Sequence, residues 1–323
     1  MPVFELTGPR GDNPLGFLAA LGALVTLEDV GWRPRLAWKG LRPQLGVEVD
    51  ASPGLETASE VERRQQLLAA LESALRRDNS EDPDPSVRLG ENLNAPNKEF
   101  AAHVDSAAQQ AGVADRRWVD LAAAYGIADP EAPDERMTAT PWALVSGSGH
   151  QHFLGHVRQL MVLCTAAHLE KALFGPWVSE DERYSLRLDV TEDRRYALLD
   201  RDPTASGNKP RTLWGANRLA FEALRLYPAM PSRQGMAVRA WRARSGNWRE
   251  DCAVRWPLWT PPLTAAVVAS LLGLPALWSD APEARDELRQ MGVFAVYESR
   301  RVAVGEGGQV KYNLTPPMAV WRS

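Results

Sequence analysis

The sequence has few cysteines and no long apolar run, and each shortage excludes a class of protein. Two cysteines among 323 residues, Cys164 and Cys252, are too few for a disulfide scaffold or a cysteine-rich zinc cluster. They fit a reducing compartment. The apolar run over residues 14–27 is short for a membrane-spanning helix, and no signal-peptide cleavage site follows it. We therefore expect a cytoplasmic protein without a membrane partner.

Motifs of the common enzyme classes are missing as well. The sequence contains no P-loop, no Gly-x-Ser-x-Gly nucleophile elbow and no dinucleotide-binding fingerprint. Its hydrophobic content of 45% is nevertheless sufficient for a substantial core. We expect no cofactor and no bound metal, and we assign no catalytic residue.

Charge is distributed unevenly along the chain. Residues 1–160 carry 15 basic and 23 acidic side chains, a net charge of −8, whereas residues 161–323 carry 22 and 18, a net charge of +4. Within residues 201–255 the counts are 11 and 4, a net charge of +7. A local basic band in an otherwise acidic protein is evidence about the charge of a binding partner and not about the fold.

Strand and helix patterns alternate from one end of the chain to the other. This order predicts an α+β fold, with mixed sheets, packed helices and a helical insertion. We assign residues 1–57 together with 137–323 to the main domain, and residues 58–136 to a helical insertion with mobile loops. Five further elements are predicted: a helix over 150–173, a strand over 186–190, a helix over 212–226, a hairpin of 236–241 with 253–256, and a hairpin of 293–304 with 310–314.

An apolar helix opens the chain at residues 12–27. Asp12 or Asn13 can cap its first turn, and Pro14 is compatible with the first helical position. Apolar residues cover most of its circumference, which indicates burial on all sides. Because glycine is unfavourable inside a helix, Gly16 and Gly22 indicate close approach of another backbone. The helix is either a tightly packed central element or a docking seat for another strand or chain.

Two groups of side chains are candidates for metal or phosphate chemistry. His152 and His156 have the i,i+4 spacing that can hold zinc, but no glutamate follows His152 in the metalloprotease pattern. With His150, they also flank a glycine-rich turn that could bind phosphate or simply cap a helix. A carboxylate group could bind Mg²⁺ for phosphodiester cleavage, or form surface ion pairs with neighbouring arginines. Its members are Asp189, Glu192, Asp193, Asp200 and Asp202.

The basic band is the strongest signal in the sequence. Guanidinium groups bind phosphates bidentately and stack on rings, which suits a nucleic-acid contact, although a solvated hairpin and an acidic protein partner are open alternatives. The band comprises Lys209, Arg211, Arg218, Arg225, Arg233, Arg239, Arg242, Arg244, Arg249 and Arg255, interleaved with Trp214, Trp241, Trp248, Trp256 and Trp259.

Four stretches resemble proteins encoded in subtype I-G (formerly I-U) CRISPR loci. They read GDNPLGFLAALG at residues 11–22, GHQHFLG at 149–155, DRRYAL at 193–198 and WGANRLAFEAL at 214–224. The first is similar to the start of the large subunit of that subtype's Cascade. The others resemble a compact family described as an extension of the helicase-nuclease.

The resemblance implies a non-catalytic subunit of an RNA-guided DNA-surveillance effector. Its expected partners are the other effector subunits, guide RNA, target DNA and the helicase-nuclease, and it could serve as a bridge between Cascade and that nuclease. The candidate nucleic-acid contacts are Lys209, Arg211, Asn217, Arg218, Arg239, Arg242, Arg244, His150 and His152. Two alternatives stay open: a metal-dependent nuclease using His150, His152, Asp189 and Asp193, and a protein adaptor without nucleic-acid contact.

Overall fold

The computed structural model describes residues 1–48, 54–76, 84–112, 116–145, 152–191, 211–233, 235–243, 251–304 and 311–322. The helices are α1 (Pro14–Asp29), α2 (Glu60–Leu75), α3 (Asn97–Gln110), α4 (Arg117–Ala123), α5 (Phe153–Leu163), α6 (Ala166–Phe174), α7 (Trp214–Ala223), α8 (Ala265–Leu272) and α9 (Pro282–Gln290). The strands are β1 (Val3–Glu5), β2 (Pro34–Lys39), β3 (Arg42–Val47), β4 (Gly126–Ile127), β5 (Thr138–Ala139), β6 (Asp181–Glu182), β7 (Arg211–Thr212), β8 (Ala229–Ser232), β9 (Gly235–Val238), β10 (Trp241–Ala243), β11 (Cys252–Trp259), β12 (Val293–Val304), β13 (Lys311–Leu314) and β14 (Met318–Arg322).

Helices and small sheets alternate along the chain, which confirms the predicted α+β class. The first sheet has the order β1-β3-β2, and the largest has the order β10-β11-β12-β13, with β14 also pairing with β12. Three further strand pairs are β4-β5, β6-β7 and β8-β9. All of these pairings, within the described ranges, are antiparallel, which differs from the mixed sheets that the sequence predicts. None of the helices seen in those ranges is long and apolar enough to span a bilayer.

The opening helix forms as its sequence predicts. The Asn13 side chain accepts hydrogen bonds from the N–H groups of Leu15 and Gly16, and Pro14 begins the helix. Every residue from 14 to 27 is buried, so α1 has no solvent-facing side over most of its length. The prediction of a tightly packed central helix is therefore confirmed.

Helix α1 crosses α7 at a backbone contact that only glycine permits. A Cβ atom at Gly22 would lie 1.9 Å from the carbonyl oxygen of Leu219. One turn earlier, α7 approaches α6, where a Cβ at Gly215 would lie 2.2 Å from the carbonyl oxygen of His168. The thin side of α1 is thus covered by a helix of the same chain, and the docking-seat interpretation is wrong for this face.

Aromatic rings join α1 to both larger sheets. The Phe17 ring lies 5.7 Å from that of Trp38 on β2 and about 6 Å from those of Trp256 and Trp259 on β11. The Trp256 indole donates to the carbonyl oxygen of Gly11 and the Trp259 indole to that of Leu36, at 2.8 and 2.7 Å. Because the indole N–H of each β11 tryptophan has a partner, these two large side chains are buried without an unsatisfied donor.

Three predicted elements differ from the structure for identifiable reasons. The predicted helix over 150–173 ends at Cys164, and a second begins after Thr165, whose hydroxyl lies 2.8 Å from His168 Nδ1 at the new N-terminus. The predicted strand over 186–190 does not form, because Arg187 has a φ of +62° and the chain turns there. A φ of +61° at Ala240 likewise divides the strand over 236–241 into β9 and β10.

A buried ionic cluster links the predicted insertion to the centre of the fold. Arg117 on α4 donates to both carboxylate oxygens of Glu222 on α7 and, through Nη1, to Asp84. Arg218, one turn before Glu222, donates to it at 2.6 Å and to the carbonyl oxygen of Leu75 at 3.0 Å. Burial opposes ionisation of Glu222, but the two arginines outweigh it and hold its pKa well below the usual value. The boundaries of the insertion at residues 58 and 136 stay a prediction.

The α1–α7 contact predicts a large effect of a single methyl group. Gly22→Ala should lower the free energy of unfolding by about 3 kcal/mol, because neither backbone can move without disturbing the core. Urea unfolding followed by tryptophan fluorescence measures this change. The matched control is Gly273→Ala, where the nearest atom would be 3.4 Å away and φ is negative. That control should change stability by less than about 1 kcal/mol. Equal stability of both variants would contradict the contact.

The ionic cluster predicts a pH-dependent loss of stability. Glu222→Gln should lower the free energy of unfolding by about 3–5 kcal/mol at pH 7, because two buried guanidinium groups lose their shared carboxylate.

The pKa of Glu222 is lower in the folded than in the unfolded chain. Its stabilisation is therefore complete above the unfolded value near 4.5 and is lost as the pH falls through the folded value. The difference in unfolding free energy between the parent and variant should accordingly shrink below about pH 4.5. Glu60→Gln, at an exposed pair, is the control and should cost under about 0.5 kcal/mol.

Candidate nucleic-acid interface

Two of the predicted nucleic-acid contacts lie in the core. Asn217 and Arg218 are both 0% exposed. The Asn217 side chain accepts from the Leu186 N–H and donates to the hydroxyl of Thr212, while Arg218 belongs to the ionic cluster around Glu222. Their assignment as contacts to phosphate or base is corrected, because neither side chain reaches the surface.

Other members of the basic band are neutralised within the chain. The guanidinium of Arg225 binds both carboxylate oxygens of Asp29 at 2.7 and 2.8 Å. Arg255 donates through Nε to Glu298 at 2.8 Å and through Nη1 to the carbonyl oxygen of Leu277. The tryptophans of the band are also largely structural, since Trp241, Trp256 and Trp259 are each at most 3% exposed. The net charge of +7 over residues 201–255 is therefore larger than the positive charge that this segment offers to a partner.

Arg239 is half-buried and partly committed. Its Nη1 donates to the carbonyl oxygen of Leu226 at 2.7 Å. Burial lowers the pKa of its guanidinium, with a smaller opposing effect from Tyr227. An arginine stays charged even when its pKa is lowered, so the side chain still contributes a positive field at this surface.

Arg242 is the most accessible described arginine on the predicted hairpin. It occupies the middle of β10, the edge strand of the largest sheet, and its side chain is exposed. Its guanidinium carbon lies 5.1 Å from the centre of the Trp278 ring, and that of Arg255 lies 4.8 Å from the same ring. Partial burial, and then the charge of Arg255, lower the pKa of Arg242. No acidic side chain in the described ranges forms an ion pair with it.

Arg211 is exposed on the short strand β7. It lies opposite Glu182 on β6. The pKa of Glu180 is lowered mainly by its hydrogen bond to Lys171, and to a smaller extent by the charge of Arg211. Its field is thus shared with nearby acids of the same chain. Lys209, Arg244 and His150, the remaining predicted contacts apart from His152, lie outside the described residues.

The histidines that the structure describes do not converge on one ion. His152 Nε2 lies 3.6 Å from a carboxylate oxygen of Glu91. His156 Nδ1 lies 2.9 Å from the carbonyl oxygen of Ser185, and burial lowers its pKa. Over the part of the chain that is described, no three histidine, cysteine or acidic side chains gather as a metal site would require.

Asp189, the described carboxylate of the nuclease alternative, has internal partners. Its side chain is 8% exposed and accepts from the Asn13 amide at 3.1 Å and from the Thr191 N–H at 3.0 Å. The other predicted carboxylates, Glu192, Asp193, Asp200 and Asp202, lie outside the described ranges.

The loop over residues 183–191 is a feature that the sequence does not predict. It is held by Asn13 through Asp189, by Asn217 through the Leu186 N–H and by His156 at the carbonyl oxygen of Ser185. Each of those three residues belongs to or immediately follows one of the stretches 11–22, 149–155 and 214–224. In the sequence, the hint of this loop is limited to Asn217 within a predicted helix, where a polar side chain needs a partner if it is buried.

Half-buried aromatic rings lie beside the start of this loop. The Tyr184 ring lies 5.7 Å from His156 and 6.0 Å from Trp214, and the Trp214 ring lies 5.1 Å from His168. Positive φ values at Arg183 and Tyr184, of 68° and 56°, fix this turn in a conformation that non-glycine residues rarely adopt. The four rings form a partly accessible aromatic row.

Comparisons with known protein families and with curated proteins assign no function to the chain. No protein-family model matches the chain, and a search of the curated proteins finds no match either.

Proposed function

We propose that the chain is a non-catalytic, nucleic-acid-contacting subunit of a CRISPR RNA-guided DNA-surveillance effector of the Cascade type. In this role it acts in the cytoplasm, binds the other effector subunits, contacts guide RNA or target DNA, and helps to recruit the helicase-nuclease. The resemblance of the four stretches to subtype I-G proteins supports this assignment.

The exposure of Arg242 is the observation that carries the proposal. Its guanidinium rests on an indole, which restricts the side chain while leaving its N–H groups available. It lies on an edge strand, so a phosphate backbone can approach without opening the sheet. Arg239, in the turn between β9 and β10, adds positive charge. Phosphate contacts of this kind position a protein on nucleic acid without reading sequence.

A protein adaptor is the second candidate, and a specific observation favours it. Arg218, Arg225 and Arg255 are paired with carboxylates of the same chain, which reduces the charge offered to a polyphosphate. A subunit that joins effector and nuclease through protein contacts alone needs no such charge. We propose it as the function that applies if nucleic-acid binding is absent.

Charge reversal at the hairpin tests nucleic-acid contact. Arg242→Glu combined with Arg244→Glu should weaken binding to a fluorescently labelled single-stranded RNA or duplex DNA. The slope of log K against log salt should become less negative by about 0.7–0.9 for each phosphate that the variant no longer neutralises. Fluorescence anisotropy over a salt series measures both quantities, and circular dichroism checks the fold.

The matched control is Arg116→Glu, a charge reversal at a side chain that is 66% exposed on the predicted insertion. It should leave the salt slope unchanged. An unaltered slope in the hairpin variant, with its fold intact, would reject the contact. Co-purification of the chain with effector subunits after nuclease treatment would then favour the adaptor.

The absence of catalysis is a separate part of the proposal. Incubation of the pure protein with labelled DNA or RNA and Mg²⁺ or Mn²⁺ should give no cleavage. Cleavage that disappears in His152→Ala would instead support the metal-dependent nuclease using His150, His152, Asp189 and Asp193.

A further inference from the structure

A cleft beside the first sheet has the chemistry of a ligand site. Its volume is about 520 Å³, within the range of small-molecule sites. It lies where the chain leaves β1, beside the β2–β3 hairpin and the segment that follows α6. Its lining includes three cations, Arg10, Lys39 and Arg42, and a single carboxylate, that of Glu5.

The two hairpin cations face each other without a carboxylate between them. Lys39 and Arg42 are directly opposed across the β2–β3 turn, an arrangement that brings both side chains to one face of the sheet. Like charges in this position are destabilising. Within the described ranges neither forms an ion pair with an acidic side chain, whereas Arg10 is bound to Asp12 at 2.8 Å. An anion at this point would relieve the repulsion.

Arg42 is already positioned for such an anion. Its Nη1 donates to the carbonyl oxygen of Thr7 at 2.5 Å, which fixes the guanidinium at the rim of the cleft. That bond is the single hydrogen bond that this guanidinium makes in the described part of the chain, and a guanidinium has five N–H donors. The remaining donors suit bidentate binding of a phosphate.

The wall of the cleft carries a fixed aromatic ring. The indole N–H of Trp177 donates to the carbonyl oxygen of Ala172 at 2.8 Å, and the ring is half-buried. Gly8 makes this packing possible, because a Cβ there would lie 2.9 Å from the indole nitrogen and 2.5 Å from the Ala172 oxygen. A ring held in this way loses little freedom when a planar base stacks on it.

We propose that this cleft binds a nucleotide unit, with a phosphate between Lys39 and Arg42 and the base against Trp177. The nucleotide is either free or part of a single-stranded nucleic acid. In the second case the inference rests on the proposed function, but it concerns a different surface. Failure at the cleft is therefore distinguishable from failure at Arg242.

Calorimetric titration of the full chain with 5′-AMP, adenosine, inorganic phosphate and a single-stranded decanucleotide tests the proposal. We expect 5′-AMP to bind at least about tenfold more tightly than adenosine or inorganic phosphate, because only it uses both the cations and the ring. A decanucleotide that binds more tightly than 5′-AMP identifies the ligand as part of a strand, and equal affinities identify a free nucleotide. Because the proposed surface at Arg242 would also bind the decanucleotide, either result supports the site only where Lys39→Glu weakens the binding.

Two variants locate the binding. Lys39→Glu should reduce affinity for 5′-AMP about tenfold or more, and Trp177→Leu should reduce the preference for 5′-AMP over inorganic phosphate. The control is Arg33→Glu, the same charge reversal at a side chain near the other end of the hairpin that is 68% exposed. If Trp177→Leu fails to fold, Trp177→Phe should fold and retain the preference.

Unchanged affinity in Lys39→Glu, with an unaltered thermal melt, would overturn the proposal. Equal binding of 5′-AMP and inorganic phosphate would also overturn it, because the base would then contribute nothing.

Discussion

The close contact between Gly22 and the backbone of Leu219 sets the arrangement of the central helices. It brings α1 against α7 at a distance that excludes even one methyl group, and Gly215 then brings α7 against α6. With α7 in this position, the Asn217 side chain accepts a hydrogen bond from the 183–191 loop. Glu222 forms ion pairs with Arg117 and Arg218. Backbone proximity thus determines where the polar groups of the centre can lie.

That arrangement also decides which charges remain for a partner. Arginines on and just after α7 are neutralised by internal carboxylates, and removing one of these partners would leave a buried charge uncompensated. Arg242 differs, because it lies on an edge strand and rests on Trp278. The separate pair of Lys39 and Arg42 lines a cleft in the acidic half of the sequence. Local geometry, rather than net charge, identifies both candidate surfaces.

Much of the fold could be predicted from the sequence, and less of the site. Periodicity, capping residues and glycines were sufficient for α1, because each is a local signal with a strong physical cause. The burial of Arg218 was not predictable, since its surroundings, including Arg117 and Leu75, come from positions whose proximity depends on tertiary packing. Counting charges along the sequence does not distinguish the buried Arg218 from the exposed Arg242. The cleft is not predictable from the sequence for the same reason, since Trp177 is distant in sequence from the hairpin that supplies the cations.

We propose that this chain lies directly against nucleic acid within an effector. Photochemical crosslinking of a reconstituted complex, with a guide RNA carrying photoreactive bases and a matching DNA target, tests it most directly. We expect crosslinked peptides from residues 241–243 or 275–278, around Arg242 and Trp278. Crosslinks to the other subunits alone, with this chain present in the complex, would contradict it.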